Sequence, residues 1–380
     1  MQGARRAENE TPDARVERLM AETLVVDMVH PGIGGETIYA EIDAGHLDPL
    51  RARDDMDALT EAMFLTHELA LSGESDVLRR WWSQSGLTIG SLSVTDLSAP
   101  GLAEIAGQIE RYCSGALPWL RLVDDARSMR AAKAEGAFGY YLFCQAMGGI
   151  PSDIRRLDAA REMGLRALML TYNRMDYVGC GCTERVDAGL SMYGLDVVRR
   201  CNDLGIAIDT SHCGPQTTMD ACRTSRAPVS ANHTAAAALH PHVRNKSDDA
   251  MKAIADTGGI VGVCMVPFFL SPAPRVTLKN VLDHIDHVVD LIGWRHVGIG
   301  TDWPIQAPAD ILRRTLGPMA GDLGFRPEDK VSVDPRLDDF RDFRDLPKLC
   351  AGLVARGYGD EEIAGILGGN FVAMMERIDG

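Results

Sequence analysis

The chain is predicted to be an α/β protein built as a single (β/α)8 TIM-type barrel. Three observations predict it. Short apolar runs alternate with helical stretches along the 380 residues, as parallel βα units do. Several runs are apolar almost throughout, as expected of strands covered on both faces. Polar residue types with chemical reach follow the ends of those runs, where a barrel of this kind carries its site.

Taken in order, the runs are LVVDMV from Leu24, LTIGSLSV from Leu87, FGYYLFC from Phe138 and RALMLT from Arg166. GIAIDTS from Gly205, APVSAN from Ala227, GIVGVCM from Gly259 and HVGIGT from His296 complete the set of eight. Helical periodicity fills the intervals. DIRRLDAAREMG from Asp153 ends on Gly164, and LDVVRRCNDLG from Leu195 ends on Gly205, both suited to a left-handed cap. TLKNVLDHIDHVVDLIG from Thr277 is amphipathic; its His284 and His287 are read as packing or surface histidines, not ligands. The whole of 1–380 is read as one domain, with 1–20 as a flexible N-terminal arm. The final helices, FRDLPKLCAGLVARG and DEEIAGILGGNFVAMMERI, are expected to close the barrel.

Charge and composition narrow the function. A formal charge of −15 opposes a nucleic-acid partner and a polybasic membrane anchor. The polar N-terminal stretch lacks the apolar core of a secretory signal, and no run of about 18 apolar residues occurs. Nine irregularly spaced cysteines suit reduced thiols and a cytoplasmic protein. Cys180-x-Cys182 lacks the second half of a zinc ribbon.

The chemistry gathers at the run ends. The fifth run leads to His212, the sixth to His233, the eighth to Asp302 and the third to Gln145. Imidazoles from neighbouring strands can share a divalent metal, and a carboxylate beside them can ligate it or take a proton from water. Arg244, in HPHVRNKSDD, could grip a carboxylate or make a surface salt bridge. Cys213 is adjacent to His212, so on a strand the two point to opposite faces and form no catalytic pair. The glycines of Gly-Ile-Gly-Thr-Asp fall inside a strand, with no Gly-Lys-Ser/Thr after them, and point to close packing and not to a phosphate loop.

GLSMYGLDVVRRCNDLGIAIDTSHCG, APVSANHTAAAALHPHVRNKSDDAMKAIADTGGIVGVCMVPFF and HVGIGTDW resemble the corresponding blocks of the membrane (renal) dipeptidase family of zinc peptidases. GLRALMLTYN and ILGGNFVAMM do so too, and the resemblance covers most of the chain from Phe138 onward. It implies a barrel mouth with two zinc ions bridged by a glutamate. His212 and His233 match the histidines of one metal, Asp302 the aspartate near the other, and Arg244 an arginine that holds the substrate carboxylate. The chain departs from the pattern at several positions. The His-x-Asp ligand pair of the first strand falls on Val29 and Pro31, with His30 one place out of register; the bridging glutamate falls on Gln145; a further histidine falls on Tyr172.

The resemblance therefore implies a divergent metal-dependent hydrolase that cleaves a small amide or dipeptide-like substrate. One zinc is expected rather than two, held by His212 and His233 with Gln145 or Asp302. His233 and Asp302 are the expected catalytic residues; Arg244, Asn245 and Tyr172 are expected to bind a small molecule bearing a carboxylate. The family also implies a homodimer. Two other readings stay open: an enzyme of another reaction type on the same barrel, and a non-catalytic binding homologue with a degraded metal site.

Overall fold

The computed structural model describes residues 10–30, 36–53, 55–302, 308–315, 323–331 and 336–380. Eight strands form one sheet: β1 (Ile89–Val94), β2 (Leu120–Leu122), β3 (Phe138–Cys144), β4 (Leu165–Met169), β5 (Ala207–Asp209), β6 (Val229–Thr234), β7 (Ile260–Val263) and β8 (Val297–Ile299). Their order is β1-β3-β4-β5-β6-β7-β8, and β2 pairs with the start of β3. Every pairing is parallel. Helices cross between most of them, as parallel connections require.

Seven of the eight expected runs are strands. The first, from Leu24, makes a single bridge, Val26 to Ile89. Its backbone nevertheless reaches both ends of the sheet: Asp27 N–H donates to Ile89 O at 2.9 Å and Met28 N–H to Ile299 O at 2.9 Å. The Asp27 side chain is the reason the ladder stops. Its Oδ1 accepts from Val29 N–H and Thr301 N–H, and its Oδ2 from the Thr301 hydroxyl, so a side chain takes bonds that a partner strand would otherwise fill. Strand β2 was not anticipated; three residues are too few to show a period.

Alternation sorts the side chains. Tyr141 and Phe143 of β3 join Val26, Met28, Ile89, Met169, Ile260 and Phe371 in one buried cluster, while Tyr140 and Leu142 belong to the larger cluster shared with the helices. That is the two-residue period of a strand. The glycines near β8 are there for contact. A Cβ on Gly300 would lie 1.8 Å from Asn232 O, and one on Gly262 would lie 2.0 Å from the same oxygen. Close packing around β6 is thus built into the sequence.

Residues Pro12–Glu22, most of them within the 1–20 span read as an N-terminal arm, form a helix capped by the Thr11 hydroxyl. Leu19 and Met20 are buried, and Arg15 and Arg18 both pair with Asp360. The apolar stripe and the pairing explain the order. Residues 1–9 lie outside the described residues. Among the described residues no helix is long and apolar enough to cross a membrane.

Candidate metal centre

His212 follows β5 and His233 ends β6, so adjacent strands deliver the two rings to one place. Their Nε2 atoms stand 2.9 Å apart. The other nitrogen of each ring meets an amide oxygen: His212 Nδ1 to Asn173 Oδ1 at 2.6 Å and His233 Nδ1 to Asn232 Oδ1 at 2.5 Å. An amide oxygen only accepts, so each Nδ1 carries the hydrogen. Each neutral ring then presents an Nε2 lone pair, and the two lone pairs face each other. They repel unless a proton or a metal cation lies between them.

Burial favours the neutral form of both rings. Burial holds the His212 pKa well below its ordinary value, with the Arg244, His233 and Lys246 charges adding to the effect. Burial, Arg244 and Lys246 do the same for His233. Neutral imidazole is the metal-binding form. Two nitrogens on one tetrahedral zinc stand about 3.3 Å apart, from Zn–N bonds of about 2.0 Å; the pair needs only a few tenths of an ångström. A carbonyl behind each ring is the usual support of a metal-bound histidine. The donor pair therefore fits a divalent metal. Among the described residues no group of three His, Cys, Asp or Glu side chains gathers for one.

Asp209 sets the positions of both histidine-bearing turns. Its Oδ1 accepts from Ser211 N–H at 2.9 Å, and its Oδ2 from Asn232 N–H at 2.5 Å and the Ser230 hydroxyl at 3.0 Å. The Ser211 hydroxyl in turn donates to Asn232 Oδ1 and accepts from His233 N–H, each at 3.0 Å. Arg244 is only 1% exposed. It donates to the carbonyls of Ser211 and His233, lies 5.2 Å from the Phe269 ring centroid, and leaves its buried Nε without a partner. This is not a surface salt bridge.

The remaining expected residues divide. Tyr172 stacks on His212, centroids 4.1 Å apart. Asp302 follows β8 in the left-handed region, φ 44°, with its N–H donating to Val29 O at 3.1 Å; aspartate is among the few residues that tolerate that region. Burial pushes its carboxyl up to about 7, Arg244 opposing and Asp27 adding. Gln145 is half-buried at the end of β3, and neither it nor Asp302 is a hydrogen-bond partner of the two rings. Asn245 faces its own scaffold: its Nδ2 donates to His240 O and Phe269 O, both at 2.7 Å.

His30 is fully buried beside Phe138, Tyr140 and Phe343. It thus lies on the helix-covered side of the strands, as its register predicts, with Tyr140 and not with Tyr141. Val29 is buried, and Pro31 lies outside the described residues. His284 bonds Ala236 N–H and Leu270 O, both at 3.0 Å, and is structural. Cys213 bonds the Thr171 hydroxyl at 3.3 Å.

Sequence reasoning missed Asn173, Asn232 and the holding role of Asp209. The available signal was adjacency, since Asn232 precedes His233 and Asn173 follows Tyr172.

Residues 101–312 match the family model for membrane dipeptidase (peptidase family M19), more than half of the chain. The chain belongs to this family. It is 27% identical over 256 residues to dipeptidase tcpJ of Claviceps purpurea, covering 67% of this chain and 52% of that one. It is 30% identical over 237 residues to an uncharacterised dipeptidase of Schizosaccharomyces pombe, covering 61% and 51%. The chain thus spans about half the length of the curated relatives it matches. Among solved structures, an amidohydrolase from Pseudomonas aeruginosa superposes with a TM-score of 0.71 at 24% identity, over 96% of this chain and 98% of that one. A metallopeptidase from Rhodobacter sphaeroides, liganded with a phosphinate mimic of the dipeptide L-Ala-D-Ala, gives 0.63 at 22%, over 78% and 88%. Both likenesses concern the α/β fold.

Proposed function

We propose that the chain is a metal-dependent hydrolase of a small amide or dipeptide-like substrate. The scaffold would be a closed (β/α)8 barrel, with Val25–Val29 as the stave between β1 and β8. The observation that carries the reading is the His212–His233 pair, two neutral rings held by amide oxygens with their Nε2 atoms 2.9 Å apart. His212 and His233 would hold one zinc, with Gln145 or Asp302 completing the set. A bound metal supplies Lewis acidity toward the scissile carbonyl and the attacking water.

The chain's own residues do the rest. Asp302, buried near Arg244, takes a proton from the attacking water and returns it to the leaving nitrogen. Arg244 has an unspent buried Nε–H for a substrate carboxylate. Tyr172 fixes the plane of His212 by stacking and walls off one side of the site.

One observation favours a non-catalytic reading: among the described residues no third His, Cys, Asp or Glu joins the pair. Metal analysis of the purified protein and a dipeptide panel separate the two. The hydrolase reading expects one zinc per chain that is lost in His212→Ala, and cleavage that falls by about 100-fold or more in Asp302→Asn. A folded protein that takes up zinc and cleaves no member of the panel in any metal form sinks it.

A further inference from the structure

We propose that a second cavity, beyond the C-terminal ends of β6, β7 and β8, binds a small zwitterion with an apolar body: a free apolar α-amino acid. The cavity lies apart from the histidine pair, and binding there stands without the hydrolase reading.

The cavity holds about 350 Å³ and is walled by three stretches of loop. His240 and His242 follow β6, Phe268 and Pro272 follow β7, and Glu328 and Lys330 lie beyond β8. His212, His233 and Arg244 are not among its lining residues. His242, 8% exposed, is the partition. Its Nδ1 accepts from Arg244 N–H at 3.2 Å, so Nε2 carries the hydrogen and donates to Asp329 O at 3.0 Å. Both ring nitrogens are thus spent on backbone, and the imidazole offers a ligand only its apolar surface.

The charges of the lining sort by what already occupies them. Asp329 accepts from Arg326 N–H at 2.7 Å, Arg336 has a partner, and burial lowers the His240 pKa toward the neutral ring. Glu328 and Lys330 are left. Among the described residues neither side chain makes a hydrogen bond or an ion pair, with the other or with any third group. Lys330 stands at φ 52°, a left-handed position that lysine seldom takes. Its N–H donates to Pro327 O at 3.2 Å, closing the short turn Pro327–Asp329 that His242 pins through Asp329 O. One unspent carboxylate and one unspent ammonium therefore line the same cavity, two residues apart. A simple anion is opposed by Glu328 and a simple cation by Lys330; a zwitterion meets both with opposite charge. Phe268, Pro272 and Pro274 give a hydrocarbon side chain a stiff apolar wall. The volume is at the small end for ligand cavities and suits one amino acid. Cleavage of an apolar dipeptide releases molecules of this class.

The test is a ligand-observed NMR titration of the full-length protein with L-leucine, N-acetyl-L-leucine and L-leucinamide. L-leucine should bind with a Kd of about 1 mM or tighter. Each derivative lacks one charge and should bind about 5-fold or more weakly. Glu328→Gln and Lys330→Gln alter exposed side chains, and each should weaken L-leucine by about the same factor. Glu328→Gln should not weaken N-acetyl-L-leucine, and Lys330→Gln should not weaken L-leucinamide. His212→Ala should leave the affinity for L-leucine unchanged. No binding of L-leucine up to about 10 mM, or derivatives that bind as well as L-leucine, overturns the proposal. Binding that is lost in His212→Ala and kept in Glu328→Gln and Lys330→Gln places the amino acid at the histidine pair; it overturns the second site and leaves the hydrolase reading standing.

Discussion

His212 has two ring nitrogens with separate duties, and this division is what makes the site. Nδ1 is committed to Asn173, which leaves Nε2 for a cation. That His212, His233 and Asp302 lie at or just beyond the ends of β5, β6 and β8 was legible, because each follows a readable apolar run. The carboxamides behind the rings were not legible, because an asparagine's partner depends on which strand lies beside it. Asp176 shows the same dependence in a charge. Its Oδ1 accepts from Val178 N–H at 2.7 Å and Gly179 N–H at 3.3 Å, yet burial outweighs these bonds and raises its carboxyl to about 6. The folded state therefore holds this proton more tightly than the unfolded one. Ionisation erodes stability as pH climbs from about 4 to about 6, and the cost is complete above that. Asp176→Asn keeps the acceptor and removes the charge. It should exceed the parent by about 1–2 kcal/mol at pH 8 and match it at pH 4, read from urea unfolding. A difference of equal size at both values would contradict this account.

At the scale of elements, the first run shows how one side chain can override a pattern. LVVDMV has strand composition, but Asp27, 1% exposed, turns its carboxylate on Thr301 and Val29. This joins the chain's first apolar run to the segment that carries Asp302. Asp27→Ala would remove the acceptor of the Thr301 N–H and hydroxyl and should cost about 2–4 kcal/mol, measurable by chemical denaturation. Asp27→Asn, which keeps one acceptor, should lose less. The outward direction of His30 was legible from the two-residue period. β2 was not, since a three-residue strand owes its place to its pairing with Phe138–Tyr140.

At the scale of the molecule, the C-terminus underpins the sheet. The final helix, Asn370–Asp379, places Phe371, Val372, Met374 and Met375 against Val26, Met28 and Tyr141. Asp379 pairs with the buried Arg166 and accepts from Ala126 N–H. The entry to that helix passes close to the first run, where Val26 N–H donates to Leu367 O at 2.8 Å. A Cβ on Gly368 would sit 2.2 Å from Leu24 O and 2.7 Å from Val26 N. Backbone cannot retreat as a side-chain tip can, so Gly368→Ala should destabilise the chain by about 1–3 kcal/mol and lower its thermal midpoint by several degrees. An unchanged midpoint would mean that the two segments separate at no cost.

Seven of the eight strands and the family likeness of the blocks from Phe138 onward were present in the linear sequence, because apolar period and motif blocks are local properties. What the tertiary structure alone decided is the electrostatic character of the site. Which amide oxygen lies behind each imidazole, which cations are buried against the turns and which carboxylates are already spent depend on groups far apart in the chain. Only their packing brings them within bonding distance.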